Sequence, residues 1–124
     1  MRWFCYPTGD EPDLWAHWLA RQSKRAQAKH AVVMRFLSDG HWRSPHWRAL
    51  VGAYQGLGEI RIRADREWRL IGRREEAENA FTLLMICYHK DKVYDPRDAL
   101  ETALRRWREI ENGLERTARH DHPA

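Results

Sequence analysis

Residues 57–92, LGEIRIRADREWRLIGRREEAENAFTLLMICYHKDK, decide the fold. In Gly58–Ala64 successive side chains alternate, so Ile60 and Ile62 share one face while Glu59, Arg61 and Arg63 share the other. The same period over Trp68–Ile71 puts Trp68 and Leu70 together and turns Arg69 away. Phe81–Tyr88 is apolar almost throughout, as a central strand covered on both faces would be, and it ends in Tyr88-His89-Lys90. Three consecutive antiparallel strands are expected, with an apolar face carrying Ile60, Ile62, Trp68 and Leu70 against helices. Arg61, Arg63 and Arg69 are left on the opposite, open face.

Working outward, Arg2–Tyr6 is a short aromatic run stopped by Pro7 and Gly9 and reads as a first strand. Asp10-Glu11-Pro12-Asp13 starts a helix whose buried stripe is Leu14, Trp15, Trp18 and Leu19. Ser23 caps a second helix, with Ala26, His30, Val33, Phe36 and Leu37 at helical spacing until Gly40. A helical hairpin is expected, one bent helix being the alternative. His41–Gly56 is the least regular part, carries two His-Trp-Arg triplets at 41–43 and 46–48, and reads as a connection. Its Trp42, Arg43, Trp47 and Arg48 either stack on bases and touch phosphates or pin the loop to the core. Beyond the strands, Asp95 caps a helix with Pro96 at its first position and Asp98 pointing back. Ala99, Leu100, Ala103, Leu104, Trp107 and Ile110 form its stripe. Gly113 ends the domain at residues 1–113, and Leu114–Ala124 reads as a frayed tail.

The 124 residues suit one domain with one core. With 43% hydrophobic and 32% charged residues the chain is globular, and its mean hydropathy of -0.82 demands a polar surface. No apolar run approaches the roughly 18 residues of a membrane span, and Met1–Pro7 lacks a signal-peptide layout, so a cytoplasmic location is expected. Cys5 and Cys87 are too few for a disulfide framework and read as reduced core thiols. All but four of the 22 Lys and Arg residues are arginine, whose planar fork suits phosphate. No cofactor or metal is expected, because His120-Asp121-His122 on a chain end makes a poor metal site. The expected architecture is α+β: a small twisted, mainly antiparallel sheet of about four strands, packed by an N-terminal helical hairpin and a C-terminal helix.

From about Asp13 to Gly113 the sequence resembles the toxins of bacterial type II toxin–antitoxin modules, the RelE/ParE superfamily, within its HigB-like, phage-derived branch. Gly58-Glu59-Ile60-Arg61-Ile62 resembles the family's Leu-x-Glu-Leu-Arg strand, and Arg69 follows in the next strand. Tyr88-His89-Lys90, Asp95-Pro96 and Ala103 are similar to its aromatic-x-Lys-Lys, Thr-Pro and Ala pattern. Asp91 stands where the family usually has a second lysine, and Ile86 where a histidine is common. The resemblance implies a RelE-like fold and a ribonuclease that cleaves messenger RNA on the ribosome. It also implies silencing by a co-encoded antitoxin, expected to be a helix-turn-helix protein.

RNA can be cut without a metal if its own 2′-hydroxyl attacks the adjacent phosphate and expels the 5′-oxygen. Such a site needs cations at the phosphorane and a proton donor and acceptor in line. Arg61 and Arg69 are candidates for the first task, and Tyr88 and Lys90, followed by His89, for the second. Arg63, Arg66 and Lys92 join Trp42, Arg43, Trp47 and Arg48 as expected RNA contacts. The competing expectations are a ParE-like contact inhibitor of a topoisomerase and an inert RNA-binding domain.

Overall fold

The computed structural model describes residues 1–9, 13–113 and 118–119; the expected helix start at residues 10–12 and most of the expected tail lie outside the described residues. In chain order the elements are β1 (Arg2–Cys5), α1 (Leu14–Ala20), α2 (Lys24–Ser38), β2 (Trp47–Ala49), a single 3-10 turn (Gly52–Tyr54), β3 (Gly58–Ala64), β4 (Arg66–Glu75), β5 (Ala80–Lys90), β6 (Val93–Asp95), α3 (Ala99–Glu111) and β7 (Ala118–Arg119). The chain is an α+β domain with one mixed sheet. The four expected strands are β1, β3, β4 and β5, and three short ones extend them into a seven-stranded sheet ordered β2-β3-β4-β5-β1-β7, with β6 pairing β5. Among the described strands β1 and β5 are the pair that run parallel, the chain between them passing through α1, α2 and β2–β4.

Both N-terminal helices are capped as local chemistry dictates. Asp13 Oδ1 accepts from Ala16 N at 2.9 Å, and Ser23 Oγ accepts from Ala26 N at 3.0 Å. They cover the face of the sheet that carries Ile60, Ile62 and Leu70. Trp15 stands edge-on to Trp3 and Phe81, and its Nε1 donates to Nε2 of the buried His30 at 2.9 Å, tying the two helices together. The expected stripe of α2 needs one correction. Met34 joins Val33 and Leu37 in the core, whereas Phe36 is 43% exposed.

The loop expected over His41–Gly56 reaches the sheet. Its β2 pairs antiparallel with β3, Trp47 opposite Ile60, and the indole lies where a Cβ on Gly58 would come within 2.4 Å of it. Trp42 lies 4.9 Å from Trp47 and 6.0 Å from Trp3, so of the two expectations for these tryptophans the core-pinning one describes their contacts.

The face opposite α1 and α2 is not open along its length, as the sequence suggested; α3 closes half of it. The reason is a bulge. Ile71 pairs with Met85 and Gly72 with Leu83, so Leu84 is an extra residue in β5. Leu84 joins Leu57, Ile71 and Cys87 in a second apolar patch on which Ala99 and Ala103 of α3 sit. Arg106 of α3 donates to the Leu84 carbonyl at 2.7 Å. Gly72 makes the close approach possible, since a Cβ there would lie 2.3 Å from the Thr82 carbonyl oxygen and 2.4 Å from the Phe81 ring.

The start of α3 also differs from expectation. Its cap is Asp98, without a side-chain hydrogen bond, and the first helical residue is Ala99. Asp95 instead ends β6, paired with Tyr88, and accepts the Tyr88 hydroxyl at 2.9 Å. The tyrosine and the strand pairing together outcompete the capping role.

Gly72→Ala should therefore destabilise the domain by about 3 kcal/mol, near the upper end of ordinary overpacking costs, because the contacted atom is backbone. Urea unfolding followed by tryptophan fluorescence measures this; an unchanged midpoint would mean that the strands separate freely at the bulge.

Candidate functional site

The uncovered half of that second face is built around a buried carboxylate. Glu59, on β3, is 1% exposed. Its Oε1 accepts from Arg61 Nε at 2.9 Å and Nη2 at 2.8 Å and lies 3.5 Å from Arg69 Nε. Its Oε2 accepts from the Tyr94 hydroxyl at 2.6 Å. A carboxylate so far from water needs such partners, and in turn it sets where both guanidinium groups stand. Burial first, and then the bond to Glu59, push the Tyr94 phenol far above its usual range, so it stays a donor.

The arginines grade outward. The Arg69 side chain is 9% exposed, that of Arg61 27% and that of Arg63 84%. Arg69 is held further by its own Nη1 donating to the Trp68 carbonyl at 3.1 Å and by Glu67 at 3.5 Å. Glu67 also pairs with Arg63 Nε at 2.6 Å. Arg61 spends Nε and Nη2 on Glu59, and among the described residues its Nη1 has no protein partner. These side chains line a cleft of about 310 Å³, closed on its far side by Lys29 of α2 and by Pro45 and His46. Four cations thus surround it against the two carboxylates Glu59 and Glu67, an arrangement that attracts an anion. A second hollow of about 310 Å³ continues past Arg63 and Glu67 to Arg25 and Arg66.

Two imidazoles flank the arginines. His46 is held below its ordinary pKa, first by burial and then by the Lys29 charge. His89 is also lowered, by burial first and then by Arg69, with Glu59 opposing. It packs edge-on to Tyr94 at 4.4 Å, and its buried Nε2 has no hydrogen-bond partner. Both rings are therefore neutral near pH 7 and able to accept a proton.

Strand register sorts the remaining expected residues. Arg69 stands opposite Cys87 and Glu67 opposite His89, so His89 faces the arginine cluster. Tyr88 does not. It lies on the other face, against Trp68 at 5.5 Å and under the Arg66 guanidinium at 4.4 Å. Lys90 is exposed at the hairpin tip and lines a separate hollow of about 370 Å³ with Asp91, Tyr94 and Arg97. Lys92 is exposed in the same tip, where Asp91 and Lys92 both take positive φ, as a two-residue hairpin turn requires. Arg43 and Arg48 are exposed beside the cleft-lining His46.

The chain matches no family model and no curated protein. The site therefore rests on its own chemistry. Among the described residues no group of three His, Cys, Asp or Glu side chains is placed to hold a metal ion, and His120-Asp121-His122 lies outside them. No helix among the described residues is long and apolar enough to cross a membrane. The thiols of Cys5 and Cys87 are both buried, and burial raises them to about 11 and about 12, which makes them poor nucleophiles.

Sequence reading missed Lys29, His46, Glu67 and Tyr94. Lys29 lies off the buried stripe of α2 and looks like an ordinary solvated lysine. His46 reaches the cleft because the loop joins β3, where Arg61 N donates to the His46 carbonyl at 2.9 Å. The only available signal was its place one residue before a tryptophan in the repeated triplet.

Replacing Glu59 by Gln keeps the shape and removes the charge that Arg61 and Arg69 share. The loss expected is about 3 kcal/mol or more, the usual cost of orphaning a buried ion. Chemical denaturation of wild type and variant measures it, and a change under 1 kcal/mol (about one surface ion pair) would deny Glu59 the central role.

Proposed function

We propose that this chain is an endoribonuclease that cuts single-stranded messenger RNA by 2′-hydroxyl attack, the toxin of a type II toxin–antitoxin pair with a RelE-like arrangement. The observation that carries the reading is the cleft in which Arg61, Arg63, Arg69 and Lys29 surround a space walled on one side by the His46 imidazole. The long elements, one strand, two helices, three strands and a helix, follow the order expected from the sequence, with the short β2, β6 and β7 added, and this is compatible with the reading.

In this mechanism the cations hold the nonbridging oxygens of the scissile phosphate. Their charge offsets what develops on the phosphorane, and each preorganised donor is worth about 10²–10³ in rate. A neutral imidazole takes the 2′-hydroxyl proton as the 2′-oxygen bonds to phosphorus. The bond to the 5′-oxygen then breaks, and that oxygen takes a proton from solvent water as it leaves, while the proton taken from the 2′-hydroxyl stays on the imidazolium until it returns to water. His46 on the cleft wall and His89 behind the arginines are the groups suited to the acceptor role, worth about 10²–10⁴. Tyr88, on the other face and committed to Asp95, has no part in it. The messenger is read as being presented by the ribosome, in the cytoplasm. A co-encoded helix-turn-helix antitoxin would silence the enzyme, and the cationic cleft is a natural target for its acidic segment.

Induction in bacteria followed by mapping of messenger 5′ ends tests the reading. Wild type should generate new ends within reading frames. Arg61→Ala should reduce them about 10²-fold or more, while Tyr88→Phe should retain them. Growth arrest with intact messages and damaged DNA would point instead to contact inhibition of a topoisomerase.

A further inference from the structure

The cleft does not end at His46. Phe36 of α2 is 43% exposed, and Val32, one turn earlier, is 48% exposed. Both continue a stripe that also carries Arg25 and Lys29, at successive spacings of about one helical turn. The Phe36 ring lies 4.9 Å from the His46 ring at 32° and 6.0 Å from His41 at 62°. His46 is itself a wall of the cleft formed with Lys29, Arg61 and Arg63. An exposed aromatic ring therefore leans on an imidazole that borders four cations.

That combination is poorly suited to a bare anion, which gains nothing from an apolar surface beside it. A polynucleotide has both parts: phosphates for the cations and a π-face for the ring. The base must be unpaired and unstacked for its face to be available, which selects a single strand. The second hollow, on the side away from Phe36, is lined by Arg25, Arg63 and Arg66 together with Asp65 and Glu67, which pair with Arg25 at 4.0 Å and Arg63 at 2.6 Å, so it adds three cations against two carboxylates. Platform, cleft and hollow thus follow one another along the seam between α2 and the β3–β4 hairpin.

We infer that Phe36 and His46 form a stacking platform for one unpaired RNA base, whose neighbouring phosphate occupies the Lys29–Arg61–Arg63 cleft. This rests on the reading of the cleft as an RNA site and adds a base-binding position to it. The position is sequence-tolerant, because every base presents a π-face.

Anisotropy of a short fluorescein-labelled single-stranded RNA, measured with purified wild type, Phe36→Leu and Phe36→Trp, tests the inference, with circular dichroism confirming that each variant is folded. Inorganic polyphosphate, a chain of phosphates without bases, serves as competitor. Phe36→Leu should weaken RNA binding about tenfold, within the range of one lost base–aromatic stack. Phe36→Trp should restore it, and competition by polyphosphate should be the same for all three proteins. If wild type binds RNA and Phe36→Leu binds it equally well, the platform is wrong while the cleft stands. The platform is equally wrong if Phe36→Leu weakens polyphosphate by the same factor. If wild type prefers polyphosphate to RNA, the reading of the cleft fails and takes the platform with it.

Discussion

A carboxylate 1% exposed in a β-sheet has to be matched by positive charge, and the matching of Glu59 organises one end of this domain. Desolvation makes the lone ion costly, so Arg61, Arg69 and Tyr94 converge on its two oxygens. The consequence reaches beyond stability. Two guanidinium groups that would otherwise sample many rotamers are held at fixed places on a strand pair, before any ligand arrives. Preorganised cations of this kind are what phosphate chemistry requires, since reorientation would otherwise cost free energy at each turnover.

The bulge at Leu84 decides which groups share that environment. One extra residue in β5 exchanges the faces of everything beyond it, so Phe81 and Leu83 pack under α1 and α2 while Cys87 and His89 turn to the arginine side. The same shift presents Leu84 to α3, which then covers the apolar half of the face and leaves the charged half open. A single backbone irregularity, made possible by the missing side chain of Gly72, thus divides the face between an apolar patch under α3 and a charged cleft.

Much of the fold was legible because periodicity reports burial. The alternation in Gly58–Ala64 and the stripe on Ala99–Ile110 follow from single strands and helices meeting one core. The capping residues Asp13 and Ser23 act locally and could be read locally. The bulge could not, since Phe81–Tyr88 is apolar at nearly every position and carries no phase to reveal an inserted residue. For the same reason the strand parity offers Tyr88 and Lys90 ahead of His89, although it is His89 that faces the arginines. Short strands such as β2 and β6 are stabilised by the neighbours they add to rather than by their own composition, which hid His46 and Tyr94. The alternation shows the arginines and also sets Glu59 beside Arg61, two residues apart on one face, as a salt-bridge partner, whereas the approach of Arg69 to Glu59 and of Arg63 to Glu67 depends on register between strands.

A 2′-hydroxyl attack leaves its signature at the phosphate. Ribosomes programmed with a defined message and incubated with the purified protein provide the direct measurement, the 5′ and 3′ ends of the fragments being identified chemically. Attack by the 2′-hydroxyl predicts a 2′,3′-cyclic phosphate on one fragment and a 5′-hydroxyl on the other, and no cut where the nucleotide before the scissile bond lacks its 2′-hydroxyl. Fragments with 5′-phosphate ends, or cleavage of the deoxy-substituted message, would contradict it.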